Sequence, residues 1–289
     1  MMRDMHGKTA LVTGSNTGIG KQTAIALARM GARVTITSRD REKGRVALAE
    51  VRRASGNDAV TCMHLDLASL ASVRSFADEL LATHPRLDVL VNNAGQTLSA
   101  RRETQDGFEE TFGVNHLGHF ALTGLLLPRL RASAPARVVV VSSVGHQLAR
   151  GGLDFDDLHA RRGYSGMGAY CRSKLANLLF VLELAGRLQG TGVTVNAVHP
   201  GVVKTDMGNS EDLQGWYRLL VRLSHPFART AEQGARTSVH VAAAAELDGV
   251  TGEYFADSEL ALRGPRALDR DAARRLWQIS EQLTGVQYE

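Results

Sequence analysis

The sequence predicts an α/β fold, in which helices cover both faces of a doubly wound parallel sheet of about seven strands. Short runs rich in β-branched residues alternate with longer segments of helical periodicity; the first such runs are TALVT, ARVTITS and AVTCMHLD, and the helical segments include GKQTAIALARMG and LASVRSFADELLATH. The strand runs are mostly apolar, as is typical of strands that are buried on both faces. A length of 289 residues without a low-complexity linker indicates a single domain, residues 1–289.

The same alternation continues in the second half of the chain. LDVLVNNAG, RVVVVSS and VTVNAVHP are the next strand runs, and helical segments lie around FALTGLLLPRLR and AYCRSKLANLLFVLELAGRL. The least regular stretch, residues 202–230, contains the apolar cluster WYRLLVRLSHPF. Ordinary packing is the better explanation for any single residue of this stretch, but as a group that follows a cofactor-contacting loop we expect these residues to form a lid over a substrate.

Composition excludes several classes of protein. The only two cysteines, Cys62 and Cys171, form no CxxC pair, and the histidines have no metal-ligand spacing, so we expect neither a disulfide framework nor a metal site. No stretch approaches the roughly 18 to 20 apolar residues of a membrane span, and we expect a soluble, cytoplasmic protein. The net charge of +4 comes from scattered arginines that alternate with acidic residues, which argues against nucleic-acid binding.

A glycine-rich turn follows the first strand run and opens a helical segment. Glycines permit a tight turn and close approach of a ligand, and the helix N-terminus offers N–H groups and a positive dipole to a pyrophosphate. This turn therefore predicts a dinucleotide site, whose residues are Gly14, Ser15, Asn16, Thr17, Gly18, Ile19 and Gly20.

The end of the second strand run predicts which dinucleotide binds. An NAD site usually has an acidic residue there for the ribose 2′-hydroxyl, but Ser38 occupies this position and Arg39 follows it. A guanidinium can bind a 2′-phosphate, and we therefore favour NADP(H) over NAD(H). The alternative is that Arg39 is merely solvated and that Asp40 takes the acidic role.

Two further strand ends carry polar residues. Asp66, followed by Leu67, can accept a hydrogen bond from the adenine amino group or cap the helix that starts near Ser69. NNAG, with Asn93, Ala94 and Gly95, can contact the cofactor ribose or brace the sheet edge.

A helical segment presents the predicted acid–base pair. Tyr170 and Lys174 are four residues apart and therefore lie on one helix face. An ammonium group nearby lowers the pKa of a tyrosine towards neutrality, which suits it to exchange a proton.

Ser142 and Ser143 end the fifth strand run. Because neighbouring strand residues point to opposite faces, only one of the two can face the cleft that the glycine turn and Asn93 border. We choose Ser143, whose hydroxyl can bind a substrate carbonyl oxygen.

Taken together, these motifs resemble those of the short-chain dehydrogenase/reductase family. TGSNTGIG, NNAG, VSS, YCRSK and HPG occur in the order of that family, over nearly the whole chain. The resemblance implies a Rossmann-type sheet and a catalytic set of Ser143, Tyr170 and Lys174. It also assigns Asn115 to holding a water that links Lys174 to solvent, and it implies that the loop HPGVVKT contacts the cofactor through Pro200, Gly201, Val203 and Thr205.

Within that family, the chain looks most like the retinol dehydrogenases and the related broad carbonyl reductases. NTGIGK, GVNHLGHFALT and AYCRSKLANLLF carry this likeness. Those relatives often have an N-terminal membrane anchor, whereas this chain begins almost at its first strand, so we do not expect a membrane-delivered retinoid.

These observations predict an NADP(H)-dependent oxidoreductase for a lipophilic aldehyde, ketone or secondary alcohol, with Tyr170 as general acid and base. The alternative is a non-catalytic dinucleotide-binding sensor or scaffold protein, which would not need the full set of catalytic residues. The long helices also offer a surface for a homodimer.

Overall fold

The computed structural model describes residues 2–203 and 229–288. One eight-stranded sheet runs through them in the order β3-β2-β1-β4-β5-β6-β7-β8. The first seven strands are parallel, and β8 pairs antiparallel with β7. The strands are β1 Thr9–Val12, β2 Arg33–Ser38, β3 Val60–His64, β4 Val89–Asn92, β5 Ala136–Val141, β6 Val193–His199, β7 Tyr254–Ala256 and β8 Glu259–Leu260. The predicted Rossmann-type sheet is confirmed, and its order reverses between β1 and β4, where such sheets form a ligand crevice.

Helices cover both faces of the sheet. They are α1 Gly18–Arg29, α2 Arg41–Ser55, α3 Leu70–Thr83, α4 Glu110–Phe112, α5 Gly118–Ala132, α6 Gly166–Arg187, α7 Ala231–Ala243 and α8 Arg270–Thr284. A π-helical turn, Gly113–Leu117, joins α4 to α5. The side chains of α1, α2 and α7 pack into one core, and those of α3, α5, α6 and α8 pack into the other.

Alternation within each strand explains these two cores. Leu11 and Leu90 point into the core formed with α5 and α6, whereas their neighbours Val12 and Val91 point into the core formed with α1 and α7. Because both faces of the sheet are covered, both sets must be apolar. This is the physical reason for the apolar strand runs in the sequence.

Helix α8 closes the outer side of α5 and α6. The Trp277 ring lies 5.0 Å from Phe120 and 5.9 Å from Phe180, and Tyr288 lies 4.4 Å from Trp277. The Tyr288 hydroxyl donates to the Phe120 carbonyl at 2.6 Å. The long helices were expected to offer a dimer surface, but around Phe120 and Phe180 this chain covers them with its own C-terminal residues.

Two expectations from the sequence, the lack of a membrane span and the lid at residues 202–230, can be compared with the structure only within the described residues. Across residues 2–203 and 229–288, no helix is both long and apolar enough to cross a membrane. Of the predicted lid, residues 202–230, the part from 204 to 228 lies outside the described residues, and so does Thr205.

Candidate active site

The predicted site residues gather at one edge of the sheet. Because parallel strands end at the same edge, the loops that follow them meet there. These loops carry Gly14 after β1, Arg39 after β2, Asp66 after β3, Asn93 after β4, Ser143 after β5 and Pro200 after β6.

The turn after β1 has the geometry of a phosphate cradle. Gly14 and Gly18 have φ values of +58° and +56°, which favour glycine. A Cβ on Gly14 would lie 2.8 Å from the Cβ of Ala94. The side chain of the N-cap residue Thr17 does not cap α1, and the first turn of this helix contains no acidic residue. The N–H groups of that turn therefore fit a pyrophosphate.

Other residues of this region brace the turn. The Ser15 hydroxyl donates to the Val12 carbonyl at 2.6 Å and accepts from the Thr37 N–H at 2.9 Å. The Asn93 amide donates to the Thr13 carbonyl at 2.7 Å, and the Thr13 hydroxyl accepts from the Ala94 N–H at 3.0 Å. Of the two roles that the sequence left open for Asn93, its side chain performs the bracing one here.

The end of β2 separates the roles of Arg39 and Asp40. Asp40 is the N-cap of α2 and accepts from the Lys43 N–H at 2.9 Å, and this backbone hydrogen bond lowers the pKa of its carboxyl group. Arg39 is exposed, and it makes no hydrogen bond or ion pair with any residue in the described ranges. The carboxylate is therefore occupied by the helix, whereas the guanidinium faces solvent at the crevice.

Asp66 makes a turn before α3 but does not cap this helix. Its carboxylate accepts from the Ala68 N–H at 2.9 Å, whereas Ser69 is the N-cap and accepts from the Ser72 N–H. The following residue, Leu67, is buried, and its carbonyl would lie 2.7 Å from a Cβ on Gly118. The capping role proposed for Asp66 thus belongs to Ser69.

Helix α6 places Tyr170 and Lys174 on one face. The Lys174 Nζ lies 5.6 Å from the centroid of the Tyr170 ring, and it donates to the Val141 carbonyl at 3.1 Å. Lys174 is only 3% exposed, and this burial lowers its pKa to about 8. A Cβ on Gly95 would lie 3.3 Å from this Nζ and 3.4 Å from the Asn115 Oδ1, so these two groups converge at the end of β4.

The two serines after β5 have different environments. Ser142 is buried, and its hydroxyl donates to the Lys174 carbonyl at 2.8 Å. Ser143 begins the 3-10 helix Val144–Leu148, and its hydroxyl accepts from the Gly145 N–H at 3.1 Å. A Cβ on Gly145 would lie 3.4 Å from the Ser143 Oγ and 3.5 Å from the Tyr170 Cε1. The structure therefore brings Ser143, and not Ser142, beside Tyr170.

Asn115 lies in the π-helical turn between α4 and α5 and joins two parts of the site. Its amide nitrogen donates to the Gln96 carbonyl and to the Ser173 hydroxyl, both at 2.9 Å, and its Oδ1 accepts from the Gln96 N–H at 2.8 Å. The side chain thus holds the loop after β4 against α6. π-Helical turns are frequent at functional sites, and a water relay through Asn115 stays a prediction.

His119 connects the catalytic side to the glycine turn, a role that sequence reasoning missed. Its Nδ1 donates to the Asn115 carbonyl at 3.2 Å, and its Nε2 accepts from the Thr13 hydroxyl at 2.9 Å. Burial is the main reason that its pKa falls to about 4, which keeps the ring neutral at pH 7. The four-residue spacing from Asn115 was the available signal, because it places both residues on one helix face.

His146 supports Ser143 in a similar way. Its Nδ1 lies 2.6 Å from the Ser143 carbonyl, and its Nε2 accepts from the Gly264 N–H at 3.1 Å. The ring therefore ties the end of β5 to a segment more than a hundred residues later. No local pattern in the sequence predicts such a contact.

The loop after β6 approaches the glycine turn through α7. Gly201 has φ +83°, and Val203 forms a parallel bridge with Arg229. A Cβ on Gly234 would lie 2.6 Å from the Val203 Cγ2 and 3.3 Å from the Ile19 Cγ1. Two residues predicted to contact the cofactor, Ile19 and Val203, therefore meet at one point of α7.

In the described ranges, no group of three or more His, Cys, Asp or Glu side chains is arranged to hold a metal ion.

His199, at the end of β6, accepts a hydrogen bond from the Val144 N–H at 3.4 Å. Burial is the largest reason that its pKa falls to about 4, and the charge of Arg229 adds to this effect.

Comparison with known proteins connects this geometry to a family. The chain matches the family model described as enoyl-(acyl carrier protein) reductase over residues 14–256. Retinol dehydrogenase 12 from Homo sapiens is 50% identical over 283 residues, with coverage of 98% of this chain and 88% of that protein. Retinol dehydrogenase 14 from Homo sapiens is 47% identical over 296 residues, again with coverage of 98% and 88%.

Solved structures show the same likeness. The crystal structure of an uncharacterized protein from Mycobacterium Paratuberculosis matches with a TM-score of 0.81 at 37% identity. The match covers 100% of this chain and 97% of that protein's chain. The Pseudomonas aeruginosa RhlG/NADP active-site complex has a TM-score of 0.69 at 30% identity, with coverage of 88% of this chain and 95% of its own.

Proposed function

This chain belongs to the short-chain dehydrogenase/reductase family, and on that premise we propose that it is an NADP(H)-dependent oxidoreductase. It moves hydride between nicotinamide and a lipophilic aldehyde, ketone or secondary alcohol. The observation that carries the proposal is the convergence of Ser143 and Tyr170 on Gly145, with the buried Nζ of Lys174 beside the Tyr170 ring.

The mechanism assigns one task to each of these side chains. The nicotinamide, when bound, supplies or accepts the hydride. Ser143 donates a hydrogen bond to the substrate oxygen, and Tyr170 gives that oxygen a proton in reduction or removes one in oxidation.

Lys174 makes Tyr170 acidic enough for this exchange. Moving the pKa of a tyrosine from about 10 to about 7 takes roughly 4 kcal/mol, and a nearby ammonium in a partly shielded site supplies energy of that order. Burial lowers the pKa of Lys174 to about 8, so most of it still carries its charge at pH 7.

Arg39 supports NADP(H) as the cofactor. Its exposed guanidinium stands at the end of β2, where an adenine ribose would lie, while Asp40 is engaged as the cap of α2. The Pseudomonas aeruginosa RhlG structure, at 30% identity, is a complex with NADP. Both observations favour a 2′-phosphate over a free 2′-hydroxyl at this position.

The names of the relatives support a lipophilic substrate. Proteins at 50% and 47% identity over most of both chains are named retinol dehydrogenases, and retinol is a lipophilic alcohol. We therefore propose retinol-like alcohols and their aldehydes as the first substrates to test, with a cytoplasmic location for the reaction.

The test compares wild type with Tyr170→Phe and with Tyr164→Phe. Tyr164 is a matched control, since its hydroxyl donates to the Leu98 carbonyl rather than facing Ser143. We expect Tyr170→Phe to bind NADPH as wild type does in calorimetry and to lose at least about a hundredfold in turnover of lipophilic aldehydes. Tyr164→Phe should keep its turnover. Full turnover in Tyr170→Phe would refute the mechanism, and binding of NADPH without any turnover in wild type would favour a sensor.

A further inference from the structure

A cavity of about 620 Å³ opens beside the first turns of α6. This volume lies within the usual range for small-molecule sites, about 300 to 1,000 Å³. Its walls are the loop 148–156, residues of α6 between 167 and 172, and Arg275 of α8. None of the cofactor or catalytic residues assigned above lines it, so the proposed reaction leaves this cavity unexplained.

One part of the lining is apolar. Leu153, Phe155 and Met167 contribute side chains, and Cys171 closes the cavity next to them. The Cys171 thiol is buried and lies 3.5 Å from the Met167 sulfur. Such a surface suits a hydrocarbon chain, because the chain leaves water when it packs there.

The rest of the lining is cationic. Arg172 is partly buried, and within residues 2–203 and 229–288 its guanidinium makes no hydrogen bond or ion pair. It lies over the same helix face as Gly168, since a Cβ on Gly168 would be 3.6 Å from the Arg172 Nη1. An anionic ligand in the cavity would give the guanidinium of this partly buried residue the acceptor that the described residues do not provide.

Arg275 forms the opposite side of the opening. Its guanidinium stacks over the Phe155 ring at 4.5 Å and lies 3.4 Å from an Asp156 carboxylate oxygen. Asp154 also lines the cavity. Arg150 lines it too, so three arginines stand against two carboxylates, a net charge of +1. This balance suits one negative charge, whereas the two carboxylates would repel a dianion such as a phosphate monoester.

From this combination, we propose that the cavity binds a lipophilic carboxylate. Arg172 pairs with the carboxylate head group, because a guanidinium fork matches the two oxygens of a carboxylate. The hydrocarbon part lies against Leu153, Phe155 and Met167. This site does not depend on the proposed redox function.

The test is calorimetric titration of the full chain with decanoate below its micelle concentration. We expect saturable binding with one site per chain, and at least about tenfold weaker binding in Arg172→Gln, because a charge-assisted pair is worth on the order of 1.5 to 3 kcal/mol. Gly168→Leu should abolish binding by filling the cavity. Its new Cβ has room, since it would lie 3.5 Å from the Ser165 Cβ and 3.6 Å from the Arg172 Nη1.

Two variants serve as matched controls. Gly186→Leu places the same side chain on the same helix, at a position with nothing within 4 Å of the new Cβ. Arg53→Gln removes an exposed arginine from α2. Both should bind decanoate as wild type does. Circular dichroism verifies that each variant is folded, and Arg172→Gln decides the question if Gly168→Leu fails to fold.

The ligand's charge is tested with two further probes. Decyltrimethylammonium, which has the same chain and the opposite charge, should not bind at this site, and decyl phosphate should bind more weakly than decanoate. The proposal is overturned if decanoate does not bind, if Arg172→Gln binds it as tightly as wild type, or if either probe binds at least as tightly as decanoate.

Discussion

The Nζ of Lys174 lies 5.6 Å from the centroid of the Tyr170 ring, and its only hydrogen bond to the described residues goes to the Val141 carbonyl at 3.1 Å. A buried ammonium with so few acceptors is costly to the fold. Stability alone does not explain why a lysine occupies this position. Its value lies in the charge that it places beside the phenol, and the cost of that charge can be measured.

Replacing Lys174 by Met should change how stability depends on pH. Burial lowers the pKa of Lys174 from 10.5 to about 8, so between these values the unfolded chain holds more protons than the folded one. The cost of the buried charge is therefore complete below pH 8 and disappears as the pH rises towards 10.5. Relative to Lys174→Met, the wild-type free energy of unfolding should rise by up to about 1.4 kcal/mol per pH unit in this window.

Urea unfolding of the cofactor-free proteins at pH 7, 8.5 and 9.5 measures this difference. Lys43→Met is the control, because Lys43 is exposed on α2 and its removal should leave the pH dependence unchanged. A constant difference between wild type and Lys174→Met would contradict the lowered pKa.

Alanine variants of Ser142 and Ser143 should differ in their effect on turnover. Ser142→Ala removes a buried hydrogen bond to the Lys174 carbonyl and should cost about 1 kcal/mol of unfolding free energy, with most turnover retained. Ser143→Ala removes the hydrogen bond from the Gly145 N–H and should cost a similar amount of stability. Unlike Ser142→Ala, it should also lower kcat by about a hundredfold or more, because it removes the donor to the substrate oxygen. Thermal unfolding and steady-state kinetics on both variants measure these effects, and the reverse pattern would show that Ser142 addresses the substrate.

Arg39→Ala should weaken NADPH binding and leave NADH binding unchanged. The loss should be at least about tenfold, since a charge-assisted pair with the 2′-phosphate is removed. Calorimetry with both nucleotides measures the selectivity, and Arg53→Ala at the other end of α2 is the control. Equal losses for NADPH and NADH would place Arg39 elsewhere in the cofactor site.

Asp40→Asn tests the alternative in which Asp40 binds the ribose of NADH. Asparagine caps helices about as well as aspartate, so α2 should keep its stability while the negative charge is lost. We expect unchanged affinity for NADH, because the Asp40 carboxylate is bound to the Lys43 N–H. A drop in NADH affinity would support the acidic role of Asp40.

Tyr288 should be important for stability although it is the penultimate residue. Its ring lies 4.9 Å from Phe120 and 4.4 Å from Trp277, and its hydroxyl donates to the Phe120 carbonyl. Tyr288→Phe should cost about 1 kcal/mol and Tyr288→Ala about 3 kcal/mol in chemical unfolding. Equal stability of all three proteins would mean that the C-terminal residues do not pack on α5.

Local patterns in the sequence predict much of the fold and of the candidate site. The alternation of apolar strand runs with helical segments predicts the parallel sheet, because each run of that kind must be buried on both faces. The pair Tyr170 and Lys174 follows from the pitch of a helix. The glycine turn follows from its place between a strand and a helix.

Long-range contacts account for what these patterns did not settle. The roles of His119 and His146 depended on partners at Thr13 and Gly264, which are brought to them only by folding.

By itself, the sequence determined the fold class, the family motifs and the identity of the residues at the sheet edge, since these depend on spacing within a single strand or helix. Tertiary structure decided which serine stands beside Tyr170 and how far burial lowers the pKa of Lys174. It also showed that α8 covers α5 and α6 and that Arg172 lines a cavity. Each of these depends on distances between segments remote in the chain, and spacing along one segment carries no information about such distances.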